Sequence, residues 1–83
     1  MARRPVPPVA RELVAAYRAV LGRRLTVERG LWPCDIDGLH TECLATAVVI
    51  LRRRGRAPSP RVVSTVAPVL RRVAAARVGT LDP

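Results

Sequence analysis

The chain predicts an all-α fold, a small three-helix bundle, and three observations carry that prediction. Apolar residues recur at three- and four-residue steps in three separate stretches. Helix-ending glycines and a Ser-Pro start signal fall at the edges of those stretches. The only strand-like alternation, at residues 25–28, has no convincing second strand to pair with. With 83 residues the chain makes one domain, able to bury only about 60 to 65% of the surface it exposes when unfolded. It is 49% apolar yet has no Phe, one Trp and one Tyr, so its core must be built from Val, Leu, Ile and Ala.

Residues 1–8 combine Arg3 and Arg4 with three prolines and are expected to form an extended, disordered, solvated arm. Residues 9–79 make the single helical domain and residues 80–83 a tail. In the first helix, from about residue 8 to 21, Val9, Leu13, Ala16, Tyr17, Val20 and Leu21 form the buried stripe. Gly22 is the expected stop, with Arg23 and Arg24 facing the carbonyl end. Residues 24–38 read as an ordered loop, interrupted by Gly30 and Pro33, in which Trp32 plugs the edge of the core.

A second helix is expected from about residue 39 to 54, capped by Asp37 with help from His40. Leu44, Ala47, Val48 and Leu51 form its main buried stripe, while Cys43, Val49 and Ile50 make it apolar nearly all round, as a central helix would be. Arg52, Arg53 and Arg54 complement its negative end and Gly55 stops it. Ser59 caps a third helix whose first residue is Pro60. There Val62, Val66, Val69, Leu70 and Val73 face inward, with Arg61, Thr65, Pro68 and Arg72 on the opposite side. Pro68 removes a backbone donor, so this element is kinked or split, and a kinked single helix is favoured.

Function is argued first from charge. Fifteen arginines, no lysine and six acidic residues leave a formal net charge of +9, which directs attention to polyanions. Coding biased toward G and C enriches Arg, Ala, Val and Pro in any protein, so position must carry the argument. Arg52, Arg53, Arg54, Arg56 and Arg61 gather on and around the break between the second and third patterns. Single-stranded nucleic acid is a poorer fit, because its readers stack bases on aromatic rings and this chain has almost none.

The stretch from Leu44 to Val73 resembles the helix-turn-helix core of small bacterial and phage DNA-binding domains. That resemblance implies duplex DNA as partner. Arg61, Ser64 and Thr65 would approach base edges, and Arg52, Arg53, Arg54, Arg56, Arg71 and Arg72 phosphates. Arg3 and Arg4 of the arm would reach a neighbouring minor groove. Arginine suits both tasks: its planar fork can take guanine O6 and N7 together, and its charge displaces counterions from phosphate. Such a protein would be a transcriptional regulator or accessory factor.

The alternative is an adaptor docking on an acidic protein surface such as that of RNA polymerase, through Trp32, Pro33 and Pro68. A homodimer or a larger protein partner would also extend so small a core.

Other chemistries find little support. Cys34, His40 and Cys43 have no spacing of a common zinc site, and no cofactor or metal is expected. Cys43 reads as a buried, inert thiol and Cys34 as an exposed one, both reduced. The single histidine gives thin support for catalysis, and no phosphate-cradling glycine loop is present. The longest uncharged apolar run, residues 43–51, is about half a membrane span, and the amino terminus does not read as a signal peptide. No membrane or small-molecule substrate is expected, and the expected location is cytoplasmic.

Overall fold

The computed structural model describes residues 8–27 and 35–79. They form three helices, α1 (Pro8–Val27), α2 (Ile36–Arg53) and α3 (Pro60–Gly79), each packed against the other two. There is no strand among the described residues. The expectations for Arg3, Arg4, Trp32, Pro33, Cys34 and the tail 80–83 lie outside the described residues.

The core is aliphatic around one phenol. Leu13, Tyr17 and Leu21 of α1, Leu39, Cys43, Ala47 and Leu51 of α2, and Leu70 and Ala74 of α3 are all buried in one cluster. Ala47 and Ala74 are fully buried in that cluster, where a larger side chain would have to be accommodated by its neighbours. The inward row of α2 therefore runs Leu39, Cys43, Ala47, Leu51 at four-residue steps, with the predicted Leu44 and Val48 half-buried at its edge. Val49 is 42% exposed, and because every helix packs against both others, α2 is not the one central element expected. On α3 the predicted Val69 is 55% exposed. The buried row centres on Leu70 and Ala74, and Val69 lies about 100° around the helix from Leu70.

Two boundaries differ from the sequence reading. α1 passes through Gly22 to Val27. Leu25 continues the stripe of Leu21 and is buried, and burying a leucine is worth about 1.5 to 3 kcal/mol against roughly 1 for a glycine inside a helix. The Thr26 hydroxyl also donates to the Gly22 carbonyl at 2.8 Å. At the other end of the presumed loop, α2 starts at Ile36, and its cap is Asp35, whose carboxylate accepts from the Gly38 amide at 2.9 Å. Asp37 and His40 are thus inside the helix, where their side chains face α3 and α1. Pro68 lies within a single helix, on its solvent side, where the carbonyl it leaves without an amide partner can meet water.

The corner between α2 and α3 is built as the sequence indicates. Gly55 has φ +73°, the left-handed conformation that glycine adopts without steric penalty. Its amide donates to the Arg52 carbonyl at 3.0 Å and the Arg56 amide to the Leu51 carbonyl at 2.8 Å, the paired bonds of a Schellman stop. Ser59 then accepts from the Val62 amide at 3.2 Å and caps α3.

Three ion pairs among the described residues mark the sense of the helices. Arg24, late in α1, meets Glu42, early in α2, at 2.8 Å. Arg56, just past α2, meets Glu12, early in α1, at 2.7 Å. Arg71 of α3 meets Asp37 in the first turn of α2 at 2.6 Å. The chain therefore runs up, down and up, and brings the start of α1, the end of α2 and the start of α3 to one end of the bundle.

Candidate nucleic-acid interface

That end gathers arginines from three elements. Arg52 and Arg53 close α2, Arg54 caps it, Arg56 lies in the corner and Arg61 is the second residue of α3. All five are exposed. Successive helical residues point about 100° apart, so Arg52, Arg53 and Arg54 fan around the axis and do not share one plane. Arg11 of α1, which the sequence reading did not single out, joins them at this end. Nothing local marks it; its place depends on α1 running antiparallel to α2. Six of the twelve arginines among the described residues thus lie here, and Glu12 is the only described carboxylate at this end. The other described carboxylates, Asp35, Asp37 and Glu42, belong to the opposite end.

Helix dipoles separate what stability requires from what it does not. Arg52 and Arg53 in the last turn of α2 complement its negative end and have a structural reason to be there. Arg61 has none, for it lies in the first turn of α3, beside the positive end, with no acidic residue in that turn. The first turn of α1 also lacks an acidic residue and directs its amides to the same end.

From Arg61 the solvent face of α3 continues through Ser64, Thr65, Pro68 and Arg72, all exposed. Arg61 and Arg72 are about 16 Å apart along the axis, three turns of helix. The Thr65 hydroxyl donates to the Arg61 carbonyl at 2.9 Å, which leaves its oxygen able to accept. Arg71 departs from this face, since its guanidinium is held by Asp37. That contact holds the Asp37 carboxyl below its ordinary value and raises Arg71. Among the candidates, the structure brings Arg52, Arg53, Arg54, Arg56 and Arg61 together, aligns Ser64, Thr65 and Arg72 along α3, and turns Arg71 toward α2.

Inside the bundle, Tyr17 Oη and His40 Nδ1 are 2.9 Å apart. Burial pushes the phenol pKa up to about 12, so the hydroxyl keeps its proton, and which of the two groups donates follows the His40 tautomer. Burial also lowers the His40 pKa, reinforced by the charge of Arg71 and opposed by Asp37. The Cys43 thiol is buried and its pKa is raised, the reverse of an activated nucleophile. No group of three His, Cys, Asp or Glu side chains among the described residues is placed to hold a metal ion. No described helix is long and apolar enough to cross a membrane.

Residues 54–59 make a six-residue connection between α2 and α3, whereas a helix-turn-helix uses three or four. A scan against protein-family models found no match, and comparisons with curated proteins and with solved structures found no similar chain.

Proposed function

We propose that the chain is a small basic DNA-binding protein, a bacterial or phage regulator or accessory factor, which grips duplex DNA with the arginine-rich end of the bundle. The observation that supports this most is the meeting, among the described residues, of six arginines from the three helices and the α2–α3 corner, opposed by one carboxylate, with Arg61 set against the preference of its own helix dipole. Charge placement carries the reading, and the length of the corner does not. Arg52, Arg53, Arg54 and Arg56 take phosphates, with Arg3 and Arg4 in an adjacent groove. Arg61, Ser64 and Thr65 approach base edges, and Arg72 extends the backbone contacts along α3. The mechanism is binding without chemistry.

Paired substitutions test this assignment of roles. Arg61→Ala is expected to relax sequence preference by about 1 to 3 kcal/mol, and Arg53→Ala to weaken all sequences alike. Equal loss on preferred and random duplexes for both variants would remove Arg61 from base reading.

A second reading, an adaptor for an acidic protein surface, draws support from the solvent face of α3. Pro68 and the 55% exposed Val69 lie there between Arg61 and Arg72, an apolar centre with a cationic border.

A further inference from the structure

We infer that Glu12 gates the basic end: its carboxylate occupies the Nε–H of Arg56 and offsets its charge, and must be displaced before a phosphate of bound nucleic acid can take that N–H and the full charge. The inference rests on the polyanion-binding reading and adds a residue that restrains it. The contact is Arg56 Nε to Glu12 Oε2 at 2.7 Å. A carboxylate oxygen and a phosphate oxygen are alike as anionic acceptors, so for the same N–H they compete. The two side chains are 52% and 35% exposed, open enough to water and ligand for the exchange to occur without unfolding the corner.

A purely structural role explains the pair less well. The backbone of the corner is already fixed by the bonds from Gly55 to Arg52 and from Arg56 to Leu51. An exposed ion pair adds little to such a turn. Position also matters: Glu12 is the sole described carboxylate at this end, while the far end holds three. A protein with six arginines on one end risks binding any polyanion, and one carboxylate among them weakens contacts that have charge alone to offer. A ligand that fits the remaining arginines and the α3 face gains enough to displace it.

The test is the affinity of the full chain for a 20-base-pair duplex as a function of salt, for wild type, Glu12→Gln, Glu12→Gln with Arg56→Gln, and Glu42→Gln. Each single Glu→Gln change removes one negative charge, and Glu42→Gln does so at the far end, beside Arg24. If Arg56 is released to a phosphate, Glu12→Gln steepens the log–log salt slope by about 0.9 and binds roughly eightfold tighter at 0.1 M salt, a gain that fades toward 1 M. The double variant loses that gain, and Glu42→Gln does not reproduce it. Thermal melts of each variant confirm that all are folded. An unchanged slope in folded Glu12→Gln, or an equal gain from Glu42→Gln, overturns the gate while leaving the binding reading intact. Absence of duplex binding by wild type at every salt concentration overturns both.

Discussion

Two glycines in this chain have opposite sensitivities to a side chain. Gly22 lies inside α1 with an ordinary φ, and a Cβ there meets nothing within 4 Å. Gly22→Ala is therefore expected to stabilise the fold by about 1 kcal/mol, read as a rise in denaturation midpoint. A Cβ on Gly38 would come within 2.5 Å of an Asp35 carboxylate oxygen, the group that caps α2. Gly38→Ala gains the same helix propensity but disturbs a cap worth about 1 kcal/mol, so its net effect is near zero or negative. Gly22→Ala without a gain would mean that the turn after Leu21 is not held as helix. His40 gives the residue scale a pH signature. Its folded pKa is below the ordinary 6.5, so the unfolded chain binds the proton more readily. The contribution is whole above about pH 6.5 and is lost as pH falls through the folded value. Asp37, also lowered, acts in a separate window, losing its contribution only as pH falls below 3.8. Stability should decline between pH 7 and 5 in wild type and much less in His40→Gln; parallel profiles would show that another group titrates there.

At the scale of elements, what could be read in advance depended on how local the signal was. The Gly55 stop and the Ser59 cap were readable because each is a contact between residues at most five apart. Gly22 misled for the same reason: as a local signal glycine ends a helix, and only the burial of Leu25 against other helices shows that this one continues. The start of α2 shows a related difficulty. Asp35 and Asp37 are both good caps, and the choice between them turns on Ile36, which joins the helix and packs on the core. The inward row of α3 was readable in part: Leu70 is buried and Val62, Val66 and Val73 are half-buried, but Val69 is apolar enough for either side and the buried Ala74 carries too weak an apolar signal to stand out. The arginine cluster at residues 52–61 was visible as a run, but the place of Arg11 and the Glu12 pair were not, because Glu12 is 44 residues from Arg56 along the chain and both reach this end only through the antiparallel packing. Arg71 looked like one more phosphate contact until Asp37, 34 residues away, was found beneath it.

As a whole, the molecule is an up-down-up bundle that divides its charge by end. The far end offsets its arginines with Asp35, Asp37 and Glu42, two of them in ion pairs between helices. Among the described residues, the near end sets six arginines against one carboxylate, Glu12. Codon bias alone accounts for many arginines but not for that division. An end built to bind phosphate should neutralise several at once, and each released counterion adds to the dependence on salt. The direct test is a fluorescence anisotropy titration of the protein with mixed duplex fragments from low to physiological salt, with excess competitor. A slope of about four to six phosphates and a competitor-resistant subset of fragments at physiological salt is the predicted result. Binding absent at low salt would contradict the polyanion reading, and binding that disappears by physiological salt for every fragment would contradict a sequence-reading DNA-binding protein.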